Sequence, residues 1–247
     1  MFSRHDIKKL LQNSVPQLQE LKETYALLPL TRCRRKMSCC SMLPEMTLVE
    51  ALAVIHRLMD MPTAMRRRFI QNIISYFFLN PIEITLCPFL EGQDCLIYTD
   101  RFFGCRAYGL WSQEYYEKLA ARNRRAKIHL RDQWKSLGVS LPPKVVDFRV
   151  PYCMYVEIDG HAFIDDKMLL HISDTIEAIS GRFSQWHQSF SQRYFSDLSF
   201  LLSSLAFGFT EAIQMKFTVV RDIITTGNMT RLEKIIDELP DLSADLT

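Results

Sequence analysis

The runs TLVEALAVIHRLMD (residues 47–60) and PTAMRRRFIQNIISYFFLN (residues 62–80) carry the clearest regular pattern in the chain. In both, apolar side chains recur at the three- and four-residue spacing of a helix that buries one face. Thr47 and Glu50 have the T-x-x-E spacing of a capping box, and Pro62 suits the first turn of a helix. The two runs therefore predict two consecutive helices.

Helical patterns continue on both sides of this pair. Residues 5–28 have apolar side chains at roughly helical spacing with a break at Pro16, and residues 112–138 predict one long helix. From about residue 165 onward the pattern is again helical, in three or four segments. Residues 84–111 differ, because three cysteines and three glycines interrupt them and only the run CLIY favours a strand. The prediction is a mainly α fold: a helical domain with an irregular cysteine-rich insert and a few short strands.

Composition excludes several classes of protein. With 247 residues and 48% hydrophobic side chains, the chain can bury a sizeable core and need not depend on disulfides or metal alone. Only eight glycines are present, and neither GxGxxG nor GxxxxGK[ST] occurs, which removes the usual sequence evidence for a nucleotide enzyme. The net charge of +2 is too small to argue for nucleic acid, so the basic run EKLAARNRRAKIHLRDQWK (residues 117–135) is expected to be a solvated or partner-binding helix face. We expect no nucleic-acid partner and allow for a protein partner of unknown identity.

The compartment is inferred from the apolar segments. Residues 1–19 lack the apolar core of a signal peptide. The most apolar later run, LSFLLSSLAFGFTEAI (residues 198–213), falls short of the roughly 20 residues that span a bilayer, so it predicts a buried helix. We therefore expect a cytoplasmic protein with no membrane association. Cytoplasmic thiols stay mostly reduced, which favours metal binding over disulfides.

Six of the seven cysteines lie between residues 33 and 105, with spacings C-x5-C-C and C-x7-C-x9-C. Thiolates are soft ligands that suit zinc, copper(I) and iron–sulfur clusters, although no C-x2-C knuckle of the common zinc-finger type is present. A buried core position is the alternative, because free cysteine is among the most buried residue types. Clustering in two loop-like groups favours metal ligation for Cys33, Cys39, Cys40, Cys87, Cys95 and Cys105. Cys153 has apolar, strand-like neighbours and is expected to be a core residue.

These two groups of cysteines resemble the motifs of the bacterial YkgJ-type cysteine-cluster family. The segment CRRKMSCC is similar to the family's C-x2-C-x2-C-C, with Cys33, Cys39 and Cys40 in place. The segment CPFLEGQDCLIYTDRFFGCR is similar to the second motif, which has the form C-P-F-L, a variable stretch, C-x-I-Y, then R-P and C-R. The residues that match it are Cys87, Pro88, Phe89, Leu90, Cys95, Ile97, Tyr98, Arg101, Cys105 and Arg106. The resemblance covers roughly residues 30–110, less than half of the chain.

The resemblance implies that the insert binds zinc or an iron–sulfur cluster through the six clustered cysteines. Lys36 stands where the family has a cysteine, and Phe102 stands where it has a proline. An ammonium cannot replace a thiolate, yet six cysteines still exceed the four that a zinc ion or a four-iron cluster needs. Because four thiolates leave the site negatively charged, the motif residues Arg101 and Arg106, together with Tyr98, are expected beside the cofactor.

Adjacent cysteines add one further expectation. Side chains of neighbouring residues project in different directions in most backbone conformations. One of Cys39 and Cys40 is therefore expected among the ligands, with the other on a bridged second metal or packed nearby.

Gly138 and two nearby prolines mark a soft boundary in the chain. Residues 1–137 are expected to form the zinc- or iron-chelating cysteine-cluster domain with its flanking helices. Residues 138–247 are expected to form a mainly helical C-terminal region that packs on it as one unit. The predicted function is a cytosolic metal-binding protein whose biological role is unknown. One alternative is a metal-dependent modifying enzyme, because a similar cysteine cluster is associated with flagellin lysine N-methylases. The other is a thiol-redox sensor that oxidises the Cys39–Cys40 pair reversibly.

Overall fold

The chain begins with two short helices separated at Ser14. The computed structural model describes residues 1–34, 36–159 and 163–242. Helix α1 (Arg4–Asn13) starts with a capping box, in which the Ser3 hydroxyl accepts from the Asp6 N–H at 3.1 Å and the Asp6 carboxylate accepts from the Ser3 N–H at 2.9 Å. Helix α2 (Val15–Tyr25) carries Pro16 in its first turn, where the missing N–H has no intrahelical partner to lose. The break that was predicted at Pro16 is present two residues earlier, at Ser14.

The predicted pair of consecutive helices is present as α3 (Leu48–Met59) and α4 (Thr63–Leu79). The capping box at the start of α3 is confirmed, since the Thr47 N–H donates to the Glu50 carboxylate at 2.8 Å. Eight of the twelve residues of α3 are buried, so this helix packs inside the molecule on most of its circumference. Burying each large aliphatic or aromatic side chain contributes about 1.5–3 kcal/mol, which makes these two helices the main anchor of the fold.

The remaining elements confirm the mainly α prediction. Four short strands are present in the described residues, namely β1 (Thr31–Cys33), β2 (Leu90–Glu91), β3 (Asp94–Cys95) and β4 (Val156–Ile158). The other helices are α5 (Phe103–Arg106), α6 (Gln113–Ser136), α7 (Pro143–Val146), α8 (Asp166–Gly181), α9 (Gln185–Arg193), α10 (Leu198–Phe207), α11 (Phe209–Thr226) and α12 (Thr230–Asp237). Single 3₁₀ turns cover Ser38–Ser41 and Tyr98–Asp100.

Two details of the sequence-based prediction are wrong. The chain after residue 165 forms five helices, α8 to α12, because residues with positive φ divide the helical pattern, among them Ser184 (50°) and Gly208 (93°). The run CLIY is a strand only at Cys95, because a 3₁₀ turn begins at Tyr98 and Ile97 lies in the core at 2% exposure.

The main core draws on both sides of the boundary predicted at residue 138. Helices α4 and α10 pack against each other, and the rings of Phe77 and Phe200 stack at 5.4 Å between centroids. The core also includes Ile7 of α1 and Leu232 of α12. The division at residues 137 and 138 stays a prediction, while the hydrophobic core is continuous across it.

Each of the two small sheets contains one of the clustered cysteines and holds it opposite a residue of the partner strand. Strands β1 and β4 pair antiparallel, with Cys33 opposite Val156, so residues more than a hundred positions apart lie side by side. Strands β2 and β3 form a hairpin in which Leu90 lies opposite Cys95. Gly92 occupies the first position of the two-residue turn with a φ of +60°. The tight turns that connect antiparallel strands require a positive φ at this position, which glycine adopts without strain.

No single helix in the described ranges has both the length and the apolar character to span a membrane. Helices α10 and α11 satisfy these criteria only when taken together, and they are bent by 107° at their junction. The prediction of one buried helix over residues 198–213 holds only for its first part: eight of the ten residues of α10 are buried, but the helix ends at Gly208, and Ile213 in α11 is exposed.

Candidate metal centre

One cavity of about 100 Å³ collects the predicted ligands. It is lined by Cys33, Cys39, Cys40, Cys87, Cys95 and Cys105. Phe89, Ile97 and Phe102, which are all at most 2% exposed, form apolar walls of the same cavity. Chain segments that are far apart in sequence therefore bring six thiols to a single place. All seven cysteines of the chain, each within the described ranges, are in the thiol form.

Each thiol is positioned by a short element rather than by a long helix. Cys33 ends β1, Cys95 ends β3 and Cys105 lies on α5. Cys39 and Cys40 lie in a 3₁₀ turn that follows Met37, whose φ is +57°. The Cys87 N–H donates to the Cys40 carbonyl at 2.7 Å, which joins the two cysteine groups directly through the backbone.

Two of the thiols share a local backbone arrangement. Burial raises the pKa of the Cys87 thiol to about 12, while a hydrogen bond from the backbone of Phe89 acts to lower it. Burial likewise raises the pKa of the Cys95 thiol, and the backbone of Ile97 opposes this effect. In both cases the donor lies two residues after the cysteine. Such N–H donors stabilise a thiolate over a thiol and tune thiolate-bound metals.

Cys39 and Cys40 lie close together on the cavity wall. Their sulfur atoms are 3.9 Å apart, and both side chains line the cavity. The hydrogen bond between them raises the pKa of Cys39 and lowers the pKa of Cys40, because one thiol donates to the other sulfur. The expectation that one of the pair ligates and the other packs nearby stays a prediction.

The predicted cofactor-binding residues fall into two positions. Tyr98 and Arg101 line the thiol cavity, and the Arg101 guanidinium lies 3.7 Å from the centre of the Tyr98 ring. The charge of Arg101 acts to lower the pKa of the thiols of Cys95 and Cys105, whose values are raised chiefly by burial. This guanidinium is therefore placed to offset negative charge on the thiols.

Arg106 lies outside the thiol cavity and supports the segment that carries Arg101. Its Nε donates to the Arg101 carbonyl at 2.7 Å, and a second guanidinium nitrogen donates to the Thr99 carbonyl. The guanidinium also lies 4.2 Å from the centre of the Tyr25 ring. The expectation that Arg106 contacts the cofactor directly stays a prediction, and its hydrogen bonds show a supporting position.

Glu50 fixes the position of the segment that carries Cys105, whereas the sequence indicated only its role in the capping box of α3. Its side chain is buried, and its carboxylate accepts from the Tyr25 hydroxyl at 2.6 Å and from the Phe103 N–H at 2.6 Å. The second bond ties the first residue of α5, and hence Cys105, to α3. The capping spacing with Thr47 was the only sequence signal for this residue, and it does not point to the second role.

A larger groove of about 1120 Å³ adjoins the thiol cavity and shares Tyr98 and Arg101 with it. Its other polar walls include Glu50, His56 and Arg106. The groove gives a path by which a small molecule could approach the thiol cavity from its polar side.

The cavity offers thiol sulfur atoms, which are the ligands that soft cations prefer. The sulfur atoms are not arranged around a common point as metal ligands are. In the described part of the chain, no group of three or more histidine, cysteine, aspartate or glutamate side chains is arranged to hold a metal ion. Only the chemical type of the donors suits zinc or iron, because thiols are soft ligands and a guanidinium lies beside them. The residues that would hold such a metal are the six clustered cysteines.

Cys153 is the residue whose predicted position is wrong. It was expected in the core, but its side chain is only half-buried. The pairing of β1 with β4 explains the difference, because it draws the segment before Val156 to the edge of the cysteine cluster rather than into the main core.

No protein-family model, no curated protein and no solved structure matches the chain. The resemblance to the YkgJ-type family therefore rests on the motif residues alone.

Proposed function

We propose that this is a cytoplasmic metal-binding protein of YkgJ type, which holds an iron–sulfur cluster or a zinc ion through its clustered cysteines. The observation that carries the proposal is the single cavity lined by all six of these thiols. They come from two parts of the chain that are almost fifty residues apart, so the meeting of the two groups requires the fold and is not a consequence of sequence proximity.

Burial favours this proposal over ordinary core packing. A structural core cysteine is normally among the most buried residues of a protein. All six clustered cysteines are only partly buried and line a shared cavity, although Cys87, Cys95 and Cys105 also pack against the main core. Thiols that serve only to fill space would not need a common opening.

The raised pKa of the buried thiols is a cost that metal binding has to meet. Without a cation, burial raises the pKa of Cys87, Cys95 and Cys105, so these groups stay protonated at neutral pH. Metal binding displaces thiol protons, and backbone donors together with Arg101 reduce the cost of that step. A bound zinc ion would supply a structural cross-link, and a bound iron–sulfur cluster would supply electron storage.

The test is metal analysis of the full chain purified anaerobically and without chelators. We expect stoichiometric zinc or iron, with a broad visible absorption band if iron is bound as a cluster. Cys87→Ser and Cys105→Ser should each lower the metal content, whereas the neighbouring surface change Leu86→Ala should not. Equal metal content in Cys87→Ser, Cys105→Ser and the wild type would refute the ligand assignment.

A second candidate is an enzyme that uses the centre, and the adjoining groove is the observation that favours it. Because the groove shares Tyr98 and Arg101 with the thiol cavity, a bound molecule would lie beside the cluster. The test is a thermal-shift screen of metal-loaded protein against small polar molecules. A hit that depends on Tyr98 but not on the surface residue Tyr155 supports this reading, and the absence of any such hit counts against it.

The third candidate, a thiol-redox sensor, is supported by the 3.9 Å separation of the Cys39 and Cys40 sulfur atoms. It requires accessible thiolates, and the hydrogen bond between the two thiols lowers the pKa of Cys40, which favours this candidate, while it raises the pKa of Cys39. Reversible loss of two thiols per chain on mild peroxide treatment of metal-free protein would support this candidate. Unchanged thiol content would exclude it.

Helix α6 is the surface on which we propose that a protein partner binds. None of its 24 residues is buried, so it presents a long polar surface. Several of its charges are already paired, for example Lys118 with Glu114 at 2.6 Å and Arg131 with Asp132 at 2.8 Å. Paired charges of both signs suit a protein partner better than a nucleic-acid backbone.

A further inference from the structure

A connected row of basic and aromatic side chains lines the larger groove of about 1120 Å³. The Arg106 guanidinium lies 4.2 Å from the centre of the Tyr25 ring, and its Nε donates to the Arg101 carbonyl at 2.7 Å. The Arg101 guanidinium lies 3.7 Å from the centre of the Tyr98 ring. Lys22 precedes Tyr25 by three residues in α2, so these two side chains are neighbours on one face of the helix. Three cations therefore face the same space.

The carboxylates that line this groove are already engaged. The Glu50 carboxylate accepts hydrogen bonds within the capping box of α3 and from α5 and α2. The Asp100 carboxylate lies 3.7 Å from the Arg57 Nε, and the Asp60 carboxylate lies 3.5 Å from the His56 Nδ1. These contacts leave the three carboxylates little capacity to neutralise further cations in the groove.

The cations of the row have no such counterions. Within the described ranges, none of Lys22, Arg101 and Arg106 forms an ion pair with a carboxylate. Arg101 and Arg106 instead donate to backbone carbonyls. Burial lowers the pKa of Arg106, and the charge of Arg101 acts in the same direction, so two like charges are held close together. A ligand with negative charge would relieve this repulsion, and guanidiniums that are already fixed lose little freedom when they bind it.

The number of cations and the size of the groove define the class of anion. Guanidiniums bind phosphate through paired N–H donors, and a lysine ammonium binds it as a point charge. A phosphate monoester carries about two negative charges at neutral pH and has three free acceptor oxygens, so it can contact all three cations. Pockets for small organic molecules enclose about 300–1000 Å³. The groove therefore has room for an organic group as well as the phosphate.

We infer that this groove binds a small organic phosphate, whose phosphoryl group is held by Lys22, Arg101 and Arg106. The site uses none of the thiols, so it goes beyond the proposed metal binding and gives a class of ligand to the second candidate function. Tyr98 and Arg101 also line the thiol cavity, so the bound molecule would lie beside the cysteines.

The test is isothermal titration calorimetry of the full chain, purified anaerobically without chelators, against phenyl phosphate. Benzoate and phenol are the singly charged and the neutral comparison ligands. We expect saturable binding of phenyl phosphate, about tenfold weaker binding of benzoate and no binding of phenol, because the site recognises charge. Lys22→Gln should weaken binding of phenyl phosphate about fivefold, since one cation contact is lost. The matched control Lys9→Gln removes the same charge from an exposed position outside the groove and should bind as the wild type does.

The outcomes separate this inference from the proposed function. Absence of saturable phenyl phosphate binding, or wild-type affinity in Lys22→Gln, overturns the inference and leaves the metal centre intact. Equal affinity for benzoate or phenol identifies a site that does not recognise phosphate, and it also overturns the inference. A chain that carries no metal but binds phenyl phosphate as expected supports the inference and refutes the proposed metal centre. If Lys22→Gln fails to fold by circular dichroism, the order of affinities for the three ligands on the wild type decides.

Discussion

Replacing Glu50 by alanine is predicted to be among the most damaging single changes that leave all cysteines in place. The buried carboxylate accepts from the Thr47 N–H at 2.8 Å, the Thr47 hydroxyl at 2.9 Å, the Tyr25 hydroxyl at 2.6 Å and the Phe103 N–H at 2.6 Å. Glu50→Ala removes both helix capping and the acceptor that links α3 to α5, so four donors lose their acceptor in a part-buried environment.

The size of the effect follows from these contacts. Loss of a helix cap costs about 1 kcal/mol. A hydrogen bond to a charged group contributes about 1.5–3 kcal/mol, and donors that are left without a partner retain part of their desolvation cost. Because the bonds share one carboxylate, their effects do not add fully, and we expect Glu50→Ala to destabilise by about 3–5 kcal/mol. Thr47→Ala, which removes only the capping hydroxyl, should cost about 1 kcal/mol.

Urea denaturation of both variants, followed by circular dichroism, measures the difference directly. Anaerobic metal analysis of Glu50→Ala should also show reduced metal content, because the bond to Phe103 fixes the helix that carries Cys105. A Glu50→Ala protein as stable as Thr47→Ala would refute the reasoning, since it would mean that the bonds to Tyr25 and Phe103 contribute nothing.

Three further predictions concern charge and backbone conformation. Burial lowers the pKa of Lys216 from 10.5 to about 8, so the charged ammonium destabilises the folded state below pH 8, and this penalty disappears as pH rises past 10.5. Lys216→Met should therefore raise the melting temperature at pH 7. A gain in melting temperature that does not shrink by pH 10.5 would contradict the lowered pKa of Lys216. Arg101→Gln should weaken metal retention about tenfold in chelator competition, because a cation beside the thiolates is lost, while the surface change Arg182→Gln should have no effect. Gly92→Ala should lower the free energy of unfolding by about 1 kcal/mol in urea denaturation, because a φ of +60° is unfavourable for alanine. Steric overlap plays no part, since nothing lies within 4 Å of the added Cβ. An unchanged denaturation midpoint would mean that the hairpin that carries Cys95 does not depend on this turn.

The helices were predictable because their signals are local. The spacing of Thr47 and Glu50 predicts the start of α3, and the capping box is present. Ser112 accepts from the Tyr115 N–H at 3.1 Å at the start of α6, as expected for a cap of the long helix. Such features depend on three or four consecutive residues, so the sequence contains all of the information that they need.

The strands and the position of Cys153 were not predictable, because they depend on contacts between residues that are far apart in the sequence. Strand β1 has three residues and pairs with β4 across more than a hundred intervening positions, and no local pattern specifies that partner. The position of Cys153 follows from this pairing, so apolar neighbours alone misplaced it in the core. The second role of Glu50 has the same origin, because its bond to Phe103 joins positions 53 residues apart.

The candidate site lies between these two cases. Grouping and residue type predicted that six cysteines would meet, and they line one cavity. The roles of the arginines depended on side-chain direction, which spacing does not give. Both side chains hydrogen-bond nearby backbone carbonyls, but Arg101 lines the cavity, whereas Arg106 lies outside it and donates to the Arg101 carbonyl.

The most direct test of the account is the metal content of the full chain isolated anaerobically without chelators, measured by inductively coupled plasma mass spectrometry alongside the visible spectrum. The account predicts at least one zinc ion or one iron–sulfur cluster per chain, lost in Cys87→Ser and Cys105→Ser. A wild-type protein that folds fully, keeps seven reactive thiols and carries neither zinc nor iron would contradict it.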